Sequence, residues 1–360
     1  MGVNRMNREE FFAQLAGLDE ERLKKALWNL YWRGAAPVRE RIEAEIAPAA
    51  SVPRPRTKSA PVDPQQVLER VQEFVGLARA GSYLAGDRKV SPTERSRWRF
   101  TFRRHAEAAR EALTADDPLP GEDAVTAIVD LACYCKAYQC FRSDDPMEAA
   151  KFVASDAVAA LWTTMLHRHG QAEFAQRAMP QLARWESRYG WTLRGFGQVP
   201  EQETQLAVVL ERLLPAPDAW VACAEQYVDA LDCLAQTQQG ARDRRGFGYS
   251  GAAYERKRRA EDLLAWHGML LERLQDYDAG HLLDKIAVHP ALDGGYQLLF
   301  RARLALARGD LGQARAVVTQ GLNDLPGLDT LHELAAEIGA DVPERARGVR
   351  ERLRITVPRS

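Results

Sequence analysis

Apolar residues recur along most of the chain at helical spacing, every three to four positions. Phe11, Phe12 and Leu15 share one face, and Leu23, Leu27, Leu30 and Tyr31 share the next. Start signals sit where these stripes begin. Asn7, Asp19, Asp218 and Ser250 are suited to cap helix N-termini. Ser91-Pro92-Thr93-Glu94 places a capping serine, a first-turn proline and a glutamate three residues on, which is a capping box, and Asp145-Pro146-Met147-Glu148 repeats that logic. No run of alternating β-branched residues offers a strand. The pattern predicts an all-α fold of stacked antiparallel helix pairs, solenoid-like, behind a small N-terminal module.

That module spans residues 1–46 and is expected to hold three short helices around Phe11, Leu15, Leu27 and Trp28. Residues 47–64 break the pattern, with Pro48, Pro53, Pro55, Pro61 and Pro64 among Arg54, Arg56 and Lys58. Proline fixes φ and removes donors, so this stretch reads as an extended basic linker. A helical domain follows over 65–250, then helical repeats over 251–340 and an Arg-rich tail over 341–360.

The repeats carry the one family likeness in the chain. Leu298, Ala302, Gly309, Ala314, Val318, Gly321 and Pro326 put small residues where two antiparallel helices would touch and a proline after the second. Residues 277–290 look like the same turn and second helix about 35 positions earlier. Over roughly residues 255–328 the chain resembles tetratricopeptide repeats, with Leu298 standing where that pattern usually has a large aromatic. The resemblance implies a stacked scaffold with an exposed groove, and no reaction.

Composition narrows the function classes. Lys and Arg (49) nearly balance Asp and Glu (50), so no global field draws the chain to nucleic acid. No apolar run is long enough for a membrane span, and the N-terminus has no signal-peptide core. Five cysteines, an odd number, point to reduced thiols and a cytoplasmic home.

Candidates for chemistry are few. Cys133, Cys135 and Cys140 are expected within one helix over 124–141, where their directions diverge too far to chelate a metal. His167 and His169 precede Gly170 and are expected to cap a helix C-terminus. Asp130, Asp156, Asp229 and Asp232 interrupt apolar helices, which favours core pairs with arginine over acid–base catalysis. Adjacent aspartates at 116–117 and 144–145 run into proline, unlike those of isoprenoid synthases. Phosphate-binding and nucleophile-elbow motifs are missing. Neither catalytic residue, metal nor cofactor is therefore expected.

Recognition remains. Arg194-Gly195-Phe196-Gly197 recurs as Arg245-Gly246-Phe247-Gly248, followed by Tyr249. Flanking glycines free the backbone and expose the ring, so Arg194, Phe196, Arg245, Phe247 and Tyr249 are the expected contacts of a protein partner. Trp185, Tyr189 and Trp191, in RWESRYGW, are expected to anchor either the core or that rim. A second reading is nucleic-acid binding, as part of a defence or repair assembly. It uses an Arg95, Arg97, Arg99 and Arg103 stripe, with aromatics interleaved over 88–104, and a block holding Arg242, Arg244, Lys257 and Arg258.

Overall fold

The computed structural model describes residues 12, 15–34, 42, 63–84, 89–244, 249–274 and 279–356, without the side chains of 238–250, 351 and 353–356. Every regular element among them is a helix, so the all-α reading holds. None of these helices is long and apolar enough to cross a membrane. The chain divides into two units, Met1–Pro61 and Val62–Ser360.

In the first unit, α1 spans Glu20–Arg33 and is capped as expected, Asp19 accepting from the Arg22 N–H. No α1 side chain is fully buried. Leu27 is 43% and Trp28 58% exposed, so these two residues do not form the centre of a module core. Trp28 instead stacks on Tyr31 and Trp32 along the helix, with centroids 5.7 and 5.8 Å apart. Asn7, Phe11 and most of the expected third helix lie outside the described residues.

The second unit begins with α2 (Pro64–Arg79), α3 (Pro92–Ser96), α4 (Trp98–Ala112) and α5 (Leu119–Ala137). The capping box forms: the Glu94 N–H donates to Ser91 and the Ser91 N–H to the Glu94 carboxylate. Phe74, Trp98, Phe102 and Phe141 close the core between α2, α4 and α5, Trp98 stacking on Phe141 at 4.2 Å. Gly121 is where α5 starts against the end of α4. A Cβ there would sit 2.6 Å from the Ala112 carbonyl carbon.

Next come α6 (Pro146–Ala150), α7 (Ala154–Trp185), α8 (Gln198–Gln202), α9 (Leu206–Leu213) and α10 (Pro217–Arg244). Asp145 caps α6 as expected, its Oδ1 accepting from the Glu148 N–H. One expectation fails here. α5 ends at Ala137, so Cys140 lies beyond it, and the Cys135 and Cys140 thiols hydrogen-bond to each other. Gly170 (φ 78°, ψ 177°) leaves the helical conformation and splits α7 into two helices across a kink, so His167 and His169 do precede a helix end as expected, although the His169 ring is held by a carboxylate. Its Nε2 lies 2.8 Å from the fully buried Glu122 carboxylate, which also takes Arg177 at 2.6 Å. Burying a carboxylate is costly unless it is paired, and these two partners do so.

The chain ends with α11 (Tyr249–Asp262), α12 (Leu264–Leu274), α13 (Gly280–Ala287), α14 (Gly295–Ala307), α15 (Leu311–Asp324), α16 (Asp329–Ile338) and α17 (Glu344–Thr356). One apolar core runs from Val67 to Leu304, across position 250, and a second joins α14 to α17 with Ala346 buried in it. The start of α14 lies beside the end of α15, the antiparallel arrangement. Gly295 there faces Leu325, and Gly321 faces Leu298 and Leu331 closely enough that a Cβ would fall 2.9 Å from Leu331 Cδ1.

Candidate functional site

The segment 186–199, which joins α7 to α8 and runs into the first turn of α8, alternates anchors with displayed side chains. Trp185 and Trp191 are buried, Trp185 donating to Asp130 Oδ1 at 2.6 Å and Trp191 to Cys133 Sγ at 3.3 Å. Between and beyond them Tyr189 (68% exposed), Leu193 and Phe196 (67%) face solvent. Trp185 and Trp191 thus anchor the core, while Tyr189 belongs to the surface.

Carboxylates from distant elements hold this backbone. Asp145 Oδ2 accepts from the Leu193 and Arg194 N–H groups at 2.9 and 3.0 Å. Glu148 accepts from Gln198 and Val199. Gly197 (φ 129°) makes that approach possible, since a Cβ would sit 2.5 Å from a Glu148 carboxylate oxygen. Asp262 Oδ1 accepts from the Arg188 N–H, and Lys136 Nζ donates to Ser187 Oγ and the Gly190 carbonyl. Tyr189 donates its hydroxyl to Glu261, a bond that raises the phenol's pKa. Arg194 pairs with Asp144 at 2.6 Å on the outside.

The same device recurs beside the loop. Buried Glu186 accepts from the N–H groups of Ser187, Leu206 and Ala207, and so caps α9. Burial pushes its carboxyl up to about 7 against those three donors. Glu203 accepts from Ala154 and Ser155 at the start of α7, while Ser155 Oγ accepts from the Thr204 N–H. Each chain segment caps the other.

Against this loop lies a cleft of about 210 Å³, lined by Cys133, Lys136, Arg184, Trp185, Glu186, Glu255, Arg258, Arg259 and Asp262 among others. Burial lowers the Lys136 pKa and raises that of Asp262. It pushes the Cys133 thiol up to about 11, which keeps it protonated and a poor nucleophile at neutral pH.

The remaining sequence candidates fall elsewhere. Arg245 and Phe247 lie outside the described residues, as do the side chains of Arg242, Arg244 and Tyr249. Arg97 and Arg99 are exposed on either side of the α4 start, and Arg99 lies 4.9 Å over the half-exposed Phe100 ring. Arg103 turns inward and donates its Nε–H to the Ala150 carbonyl, and Arg95 is half-buried. Lys257 is exposed and its stem packs on Gly294, while Arg258 faces Asp262 at 3.5 Å. Asp156, Asp229 and Asp232 are exposed and pair with no arginine among the described residues, though Asp232 lies 3.2 Å from the buried His289 imidazole. Asp130 is half-buried, serving Trp185 with Arg184 only 3.9 Å away. No group of three His, Cys, Asp or Glu among the described residues could hold a metal ion.

Periodicity could not identify Glu148, Glu186 and Glu203, because each acts on N–H groups about 20 to 50 residues away. Glu186 and Glu203 show only a lone acid beside a helix end, while Glu148 sits inside α6 in the 145–148 capping motif yet turns its carboxylate to α8 instead of back to Asp145. No protein-family model, no curated protein and no solved structure matches this chain.

Proposed function

We propose that the protein is a non-catalytic, cytoplasmic helical scaffold that binds a protein partner through the 186–199 loop. One observation carries the reading: Tyr189, Leu193 and Phe196 stand exposed on a backbone held by Asp145, Glu148, Asp262 and Lys136. A side chain displayed on an already ordered loop costs little entropy on association, and aromatic residues with arginine dominate binding hot spots. The antiparallel α14–α15 pair, with tetratricopeptide-like small residues at its contact, supports a scaffold role. Five free cysteines support a reducing compartment.

The test is affinity purification from nuclease-treated extract with wild type and a Tyr189→Ala, Leu193→Ala, Phe196→Ala variant. A hot-spot ring contributes about 2 kcal/mol or more, so the reading expects a saturable partner that the triple variant loses. Equal recovery by both proteins would refute it. The exposed Phe100 flanked by Arg99 favours a second reading, single-strand nucleic-acid binding by base stacking. It requires retention that nuclease abolishes and that Phe100→Ala weakens.

A further inference from the structure

The cleft under the loop has a use beyond partner capture. Hydrogen-bond accounting decides its ligand. Two of the three carboxylates in the lining are already occupied: both Glu186 oxygens take backbone N–H groups, and Asp262 takes the Arg188 N–H and faces Arg258 Nε, while the third, Glu255, is exposed. The donors are not. Arg258 engages Asp262 through Nε at 3.5 Å, and Arg184 reaches Asp130 only at 3.9 Å, so both guanidinium forks keep N–H groups to spare. Arg259 donates through one terminal nitrogen to the Ala291 carbonyl, and Lys136 adds a charge held mostly out of water.

Four cationic side chains from α5, α7 and α11 therefore line one concavity in which the buried carboxylates are already occupied. We infer that this cleft binds a small oxyanion, a phosphate or carboxylate group on a short carbon body, gripped by Arg184 and Arg258. Guanidinium forks match both groups bidentately. The enclosed volume suits a small charged head: 210 Å³ lies below the roughly 300–1,000 Å³ of sites that bury drug-sized molecules. Trp185 in the lining provides a reporter, because an anion beside its indole changes the emission.

The experiment titrates purified full-length protein with inorganic phosphate and, separately, malonate at low ionic strength, by calorimetry and tryptophan emission. Saturable one-to-one binding of at least one probe is expected, and the tighter probe identifies the headgroup. Arg184→Gln and Arg258→Gln each weaken it about tenfold, the weight of one charge-assisted hydrogen bond. Both side chains are substantially exposed, at 48% and 37%, so the variants keep the fold, which thermal melts without ligand verify. Arg110→Gln, in a separate cavity against α4, leaves binding unchanged. No saturable binding of either probe at millimolar concentration, or equal binding in all variants, overturns the inference. The readout needs no partner, so it stands or fails apart from the loop's role in capture.

Discussion

Two regions of the larger unit satisfy the same helix ends in different ways. Around α7, α8 and α9 the free N–H groups are met by carboxylates from far along the chain: Glu203 for α7, Glu148 for α8 and Glu186 for α9. At α15, Asp310 does it from the adjacent position, accepting from the Gln313 N–H, and the helices then lock through Gly295 and Gly321. A local cap stabilises one helix. A remote cap ties two segments together, which lets the loop between them hold a shape without regular structure. The exposed rings of the 186–199 loop lie on the remotely capped side.

Removing Glu186 should break the comparison most severely. Glu186→Ala strands three N–H donors, two of them on buried residues at the α9 start, at about 1–3 kcal/mol each. A loss of at least about 3 kcal/mol in urea unfolding is expected. Glu203→Ala strands two and should cost about 2–6 kcal/mol by the same measurement. Asp310→Ala, a local exposed cap, should cost only about 1 kcal/mol. Equal costs for Glu186 and Asp310 would erase the distinction between the two regions.

A finer test is titration. The Glu186 carboxyl is raised from 4.5 to about 7 in the folded protein, so folding takes up a proton there. Its contribution is fully present below pH 4.5 and is lost as pH rises through about 7. Glu186→Gln, a neutral side chain that does not titrate, should lose nothing across that window, so the variant should gain on wild type as pH rises, as read by denaturant midpoints at each pH. A difference independent of pH would contradict the assigned burial.

The same contrast shows what the sequence revealed. Caps acting over three residues were legible: Asp19, Ser91 and Asp145 each bond the N–H that their spacing indicates. The all-α class followed from periodicity, and the small residues of the α14–α15 contact from the resemblance to a tetratricopeptide pattern. Acids that act across the fold were not legible, because nothing local distinguishes Glu186 from any other glutamate after a helix. The reverse error occurred at Asp156, Asp229 and Asp232, whose apolar neighbours suggested burial although the aspartates themselves point out. The helix end at Gly170 was legible from the glycine after His169, whereas the pairing of that imidazole with Glu122 from α5 acts across the fold and left no local sign.

The account rests on a loop that is irregular yet rigid, and backbone hydrogen exchange measures that directly. The N–H groups of Arg188, Leu193, Arg194 and Val199 belong to no helix interior, yet each donates to a carboxylate. They should exchange as slowly as amides inside α7, and Asp145→Ala should release Leu193 and Arg194 while Arg188 stays protected. Fast exchange of all four amides in the wild-type protein would contradict the account.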